Sequence, residues 1–229
     1  MWDRKEIKAR GKAAFKANYW ACVIVALILS FAIGGGASSG RSDNDSKGSS
    51  SPSAVTVTLM GGLGIVGLAV QILALNPLEA GCQRFFIENS RENGEKTEIN
   101  EVLYFFKEGR WGNAVKVMFV YKLFIVLWTL LLIVPGIVKA YSYRLVPYLL
   151  NENPNIDARE ALQISSERMK GQKSAAFVYD LSYVGWFLLG LLTLGILIVF
   201  HVQPWYLSSN AVLCRTIAGE GEYYNGPRY

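Results

Sequence analysis

Residues 178–200, VYDLSYVGWFLLGLLTLGILIVF, form an apolar stretch too long and too continuous for the core of a water-soluble domain. An α-helix rises 1.5 Å per residue, so about 20 residues cross the ~30 Å of hydrocarbon in a bilayer. The one ionisable residue of this stretch, Asp180, stands near one end. Further apolar runs lie at 19–36, 57–77 and 115–134. Backbone polar groups in lipid must be satisfied within the segment, so these runs predict an all-α, polytopic transmembrane helix bundle. Charged residues make up 18% of the 229, against ~25% in soluble domains, and they gather between the runs. Five or six spans of ~20 residues use most of the chain and leave no room for a separate soluble catalytic domain.

The net charge of +5 reads as Lys- and Arg-rich loops facing anionic lipid, and no nucleic acid partner is expected. Cys22, Cys82 and Cys214 have no metal-ligand spacing, and His201 is the sole histidine. A Cys/His zinc site is therefore not expected, nor any other metal or cofactor. The basic segment before the first run is long and helical in pattern, unlike a cleavable signal peptide.

The chain reads as one integral membrane domain over 1–229. Residues 1–18 predict an amphipathic surface helix, capped by Asp3, with Ile7, Ala14 and Phe15 on one face. Span 1 is placed at 19–36. Residues 37–54 hold eight serines and read as a flexible external loop. Span 2 covers 55–78, where Gly61, Gly62, Gly64 and Gly67 suit close helix approach. Residues 79–114 read as a cytoplasmic polar loop with a short amphipathic helix over 99–106. Span 3 covers 113–134, and Pro135-Gly136 follows at once. A helical hairpin into a short span 4 at 137–150 is the preferred reading. The alternative is one long kinked helix. Residues 151–174 form a cytoplasmic loop with an inner helix, which starts at an Asp157/Glu160 capping box and ends at Gly171. Ala158, Ala161, Leu162, Ser165 and Met169 share one face of it. Span 5 covers 175–200, a turn follows at 201–204, span 6 covers 205–217, and 218–229 is a tail. Six spans put every basic loop and both termini in the cytoplasm, while five would turn the basic 151–174 loop outward.

From Leu131 onward the chain resembles an uncharacterised family of bacterial integral membrane proteins, the domain of unknown function numbered 975. The residues that carry the resemblance begin with Pro135-Gly136, Ala140-Tyr141-Ser142-Tyr143, Pro147-Tyr148 and Asn153-Pro154. They continue with Ala161-Leu162, Ser165, Met169-Lys170-Gly171, Asp180-Leu181-Ser182 and Gly185-Trp186. The opening KARGKAAFKANYW is similar to the family's N-terminus. The resemblance implies a multi-pass protein of the bacterial cytoplasmic membrane, with Pro135, Gly136, Pro147, Ser165, Gly171, Asp180, Gly185 and Trp186 in structural roles. It supplies no activity. A more distant similarity is to the membrane domain of some glycerophosphodiester phosphodiesterases, with no catalytic residue carried across.

Ionisable residues inside apolar segments are functional candidates. Lys122 has a snorkelling reading, with its ammonium at the interface. Lys139 and Arg144, in the short span 4, are candidates for an anionic headgroup site or, on the plainer reading, for interfacial anchors. Asp180 is expected to pair with one of them or to cap span 5. His201 reads as an interface residue without an acid partner, so no nucleophilic triad is drawn. The GGxGxxG at residues 61–67 lies in an apolar span and lacks a preceding strand, so it is not a dinucleotide fingerprint. The leading expectation is a non-enzymatic membrane protein that binds or moves a lipid or amphipathic ligand, or supports a membrane complex. Its partners would be membrane lipids, and a membrane protein or a second copy of the chain. The alternatives are a small transporter or an immunity factor against membrane-active peptides, with a membrane-embedded enzyme last.

Overall fold

The computed structural model describes residues 2–34, 67, 69–91, 97–107, 109–193 and 195–219, with backbone alone for 31–34. All regular structure among the described residues is helical: α1 Arg4–Ala17, α2 Tyr19–Gly34, α3 Asn76–Arg91, α4 Trp111–Leu131, α5 Ile133–Ser142, α6 Val146–Glu152, α7 Ala158–Arg168, α8 Lys173–Leu192 and α9 Gln203–Ala218. A short 3₁₀ helix, Ile99–Phe106, fills the place read as a small amphipathic helix and buries Val102 and Phe105. The serine-rich loop at 37–54, the glycines at 61, 62 and 64, and the end of the chain lie outside the described residues.

Two helices, α4 and α8, are long and apolar enough to cross a membrane, and a third passes if α1 and the start of α2 count as one span bent by 102°. The fold is thus all-helical and compatible with a membrane protein, but six spans do not emerge among the described residues. Span 4 is the clearest departure. Residues 137–150 are divided between α5, of 10 residues, and α6, of 7, each too short to cross.

The hairpin reading holds at the start of that segment. Leu132 is extended (φ −157°, ψ 134°) and ends α4, after which the chain doubles back. Gly136 then lies against Thr129, Lys139 against Trp128 and Tyr143 against Phe124. One residue number rises as its partner's falls, which defines an antiparallel pair. A Cβ on Gly136 would stand 2.6 Å from the Thr129 Cα, so only glycine permits this approach. The break comes at Leu132, one turn before Pro135-Gly136, because proline is well accommodated in the first turn of α5.

A second hairpin corrects spans 5 and 6. α8 stops at Leu192, and the chain reverses there rather than at 201–204. Gly190 meets Ile198, Trp186 meets Trp205 at 5.7 Å, and Phe187 meets Tyr206 at 6.2 Å. Pro204, read as part of a turn, lies inside the returning helix. The π-turn Ile198–Val202 precedes it, with the Gln203 N–H bonded to the Ile198 carbonyl. The same arrangement recurs at Pro77, preceded by the π-turn Gln71–Leu75. At each site proline removes the donor for the carbonyl four residues back. Tyr19 Oη donates to the Phe200 carbonyl at 3.1 Å, and Trp111 Nε1 donates to the Leu73 carbonyl at 2.9 Å.

The polar reading of 79–114 also needs correction, since its first part is α3. Phe85, Phe86 and Ile87 are buried there. The charges that disguised this helix are paired: Arg84 with Glu88 and Glu101, and Arg91 with Glu88 and Glu152. α1 is capped by Asp3 as read, but its apolar face does not lie free for a membrane surface. It packs on α9 and buries Ile7 and Phe15. The inner helix of 151–174 matches its reading, with Ala158, Ala161, Leu162, Ser165 and Met169 all buried. Asp157 caps the Arg159 N–H at 3.1 Å, while Glu160 is exposed and makes no hydrogen bond among the described residues.

Apolar exposure is concentrated at the hairpin ends. Leu130 is 83% exposed and Leu192 84%. Large contiguous apolar surface is rare on water-soluble monomers, and lipid is the solvent that suits these ends.

Candidate functional site

The turn between α5 and α6 carries Arg144, and α8 carries Asp180 one helical turn above the buried Ala176. The two meet in a bidentate ion pair: Nη1 to Oδ2 at 2.7 Å and Nη2 to Oδ1 at 2.9 Å. Planar guanidinium and carboxylate groups match in this geometry, and two parallel charge-assisted bonds fix both side chains. Tyr141 donates to Asp180 Oδ2 at 2.9 Å and Tyr206 donates to Oδ1 at 3.1 Å. The Arg144 Nε and Nη2 also donate to the Asn210 carbonyl oxygen, at 3.1 and 2.7 Å. The carboxylate thus accepts four hydrogen bonds, and the guanidinium charge is matched inside the protein.

Helix α7 holds this turn in place. The Ser165 hydroxyl accepts from the Leu145 N–H at 3.2 Å and donates to the Ser142 carbonyl at 2.8 Å. Ser165 is fully buried. It thereby fixes the backbone on either side of Tyr143 and Arg144. Pro147, at the start of α6, lets the helix begin directly after the turn.

A cleft of about 320 Å³ opens beside the pair, lined by Gln83, Tyr121, Ala140, Tyr141, Arg144, Pro147, Asp180, Tyr206 and Asn210. The Gln83 amide and the Tyr121 hydroxyl make no hydrogen bond among the described residues. The Asn210 amide uses only its oxygen. The cleft therefore offers three free donors around an ion pair with no net charge.

Lys139 and Arg144 face different partners. Lys139 Nζ stands 4.9 Å from the Trp128 ring centroid and 5.6 Å from that of Tyr143. Lys122 does not extend freely to an interface: it donates to Glu79 at 2.6 Å and Asn76 at 2.8 Å. Of the residues read as structural, Gly136 and Trp186 close the hairpins. Pro135 sits in the first turn of α5, and Gly171 takes a φ of +76° just after α7. Gly185 is exposed with open space at its Cβ position, and nothing in the structure explains a glycine there. His201 lies 5.5 Å from Phe15 and 6.1 Å from Trp205, ring to ring. The cysteines are free and buried. Among the described residues no three His, Cys, Asp or Glu side chains gather as a metal site would need.

Sequence reasoning missed Gln83, Tyr121, Tyr206 and Asn210. Tyr206 and Asn210 are four residues apart in a helix, so they share a face. That spacing was the available signal, but the segment was read as a span rather than for its polar face.

Residues 129–219 match the family model described as "Protein of unknown function (DUF975)". This match supports the family read from the motifs, and it covers Tyr141, Arg144, Asp180, Tyr206 and Asn210. No curated protein and no solved structure matches the chain. The more distant likeness to the phosphodiesterase membrane domain is not shown.

Proposed function

We propose that this chain is a non-enzymatic, multi-pass protein of the bacterial cytoplasmic membrane that binds the polar end of an amphipathic molecule in the cleft beside Arg144 and Asp180. The carrying observation is the combination of free donors and a neutralised charge. Tyr121, Gln83 and Asn210 present donors, while Asp180 already balances Arg144. A bare anion entering the cleft would add an unpaired charge at low dielectric, which costs several kcal/mol by the order of magnitude for buried ions. A polar head with ester, amide or hydroxyl acceptors and no net charge fits better. A non-catalytic role is supported by Asp180, whose oxygens are occupied by Arg144, Tyr141 and Tyr206, leaving it ill suited to take a proton from a ligand.

The test is native mass spectrometry of full-length protein extracted in mild detergent from its own membrane. A neutral or zwitterionic amphiphile retained one per chain is expected. It should be lost in the Gln83→Leu/Tyr121→Phe variant, which leaves the ion pair intact. Equal retention by that variant would remove the cleft from the reading. Transport or support of a partner complex remains a separate use of the same site, and a co-purifying protein without lipid would favour it.

A further inference from the structure

A second cleft, of about 500 Å³, lies between α4 and α7, away from the Arg144 cluster. Phe124, Tyr143 and Leu162 give it an apolar floor, and Arg159, Lys170 and Glu167 stand on its rim. Arg159 and Lys170 are exposed and form no ion pair among the described residues. Lys139 adjoins through Tyr143: its Nζ stands 5.6 Å from that ring, which also meets Phe124 at 6.5 Å. Two cations therefore line the cleft, with Lys139 next to it beside Tyr143, against one acid, Glu167, which accepts a bond from Gln163. From Phe124 the α4 surface continues along Leu127, 59% exposed, to Leu130 at the hairpin end. A cationic rim over an apolar track is complementary to one kind of molecule, a lipid with an anionic head and acyl chains.

We infer that the α4–α7 cleft is a binding site for an anionic glycerophospholipid, its phosphate among Arg159, Lys170 and Lys139 and an acyl chain along Phe124 and Leu127. Lysine and arginine at a membrane surface attract anionic headgroups, and Trp128 and Tyr143 hold the Lys139 ammonium beside the head. The inference rests on the membrane reading of the hairpins but not on the cleft beside Arg144.

The experiment exchanges full-length protein into equal amounts of phosphatidylglycerol and phosphatidylcholine with matched chains, then counts retained lipid by native mass spectrometry. In the Gln83→Leu/Tyr121→Phe variant, whose other cleft no longer holds a zwitterionic head, one phosphatidylglycerol per chain is expected in preference to phosphatidylcholine. Neutralising a surface cation weakens anionic lipid binding roughly fivefold, so Arg159→Gln/Lys170→Gln should lower retention about twenty- to thirtyfold. Lys139→Gln should lower it about fivefold, and Glu167→Gln should raise it. The Gln83→Leu/Tyr121→Phe variant should leave it unchanged. Soluble glycerol phosphate should not compete, because it lacks the chain that the apolar floor receives. Equal retention of both lipids by the Gln83→Leu/Tyr121→Phe variant, unchanged phosphatidylglycerol retention in the double-Gln variant, no rise with Glu167→Gln, or competition by glycerol phosphate would each overturn the inference. Loss only in the Gln83/Tyr121 variant would also overturn it, by assigning the lipid to the other cleft.

Discussion

The two proline joints share a geometry and differ in what secures it. At the first, Trp111 donates to the carbonyl that Pro77 orphans, and Lys122 reaches the Asn76 side chain just before the proline. At the second, Tyr19 donates to the carbonyl that Pro204 orphans, and Ser30 accepts from Gln203 just before the proline at 2.7 Å. The aromatic donor and the polar partner are separated by the same interval along α4 and α2. The missing proline N–H explains the common part, since a carbonyl without a donor costs about 1–3 kcal/mol where lipid takes the place of water. The difference is electrical. The first joint uses an ammonium, which needs the carboxylate of Glu79, 12% exposed, beside it. The second uses only neutral groups. A π-turn before proline is thus a stable device whatever chemistry grips it, and the charged version is the more fragile one.

The largest effect should come from Lys122→Met. It strands the Glu79 carboxylate in a largely buried site, and a loss of about 3 kcal/mol is expected in thermal unfolding in detergent. Adding Glu79→Gln should recover more than half of it. A single-variant cost below that of Ser30→Ala would overturn the electrical distinction. Next come Tyr19→Phe and Trp111→Phe, each expected to cost about 1–2 kcal/mol. In a Pro204→Ala background the Tyr19→Phe cost should nearly vanish, because alanine restores an N–H to the Phe200 carbonyl. An undiminished cost in that background would mean that the hydroxyl does not serve the orphaned group. Ser30→Ala should cost about 0.5–1 kcal/mol, the value of one neutral hydrogen bond.

The smallest effect concerns an exposed charge contact and serves as the contrast to Glu79. Lys116 hydrogen-bonds Asp157 at 2.7 Å and, with the Arg159 N–H, holds its carboxyl below the usual range. A lowered folded value means that the contribution is present above about pH 4, the ordinary aspartate value, and is lost as pH falls through the lowered one. Amide exchange in the first turn of α7 should therefore quicken slightly below about pH 4, and Asp157→Asn should remove that acid dependence.

Much of the fold follows from local pattern, and the failures have physical reasons. The buried face of α7 was legible because Ala158, Ala161, Leu162, Ser165 and Met169 repeat at helical spacing. The first hairpin was legible from its punctuation, with the break displaced because Pro135 suits a first helical turn. α3 was hidden because its charges are satisfied by partners far along the chain, as in Arg84 with Glu101. Pro204 misled because nothing near it in sequence announces that Tyr19 will serve the freed carbonyl. The candidate site was half legible. Arg144 and Asp180 were conspicuous as ionisable groups in apolar surroundings, but 36 residues separate them, and their pairing depends on how α5 and α8 meet.

The π-turn at Ile198–Val202 has a consequence for how this gene tolerates change in length. Such a turn is an α-helix carrying one additional residue. Deleting any one of those residues would leave a continuous, hydrogen-bonded α-helix, yet each α-helical residue turns the chain by about 100°. The half that follows would keep Tyr206 and Asn210 facing Arg144. The half before it would rotate by more than a quarter turn and take Ile198 away from Gly190. A one-codon deletion here is therefore a rotation of one hairpin arm against the other rather than a shortening, and the sequence on both sides of it would have to change to accommodate the new phase.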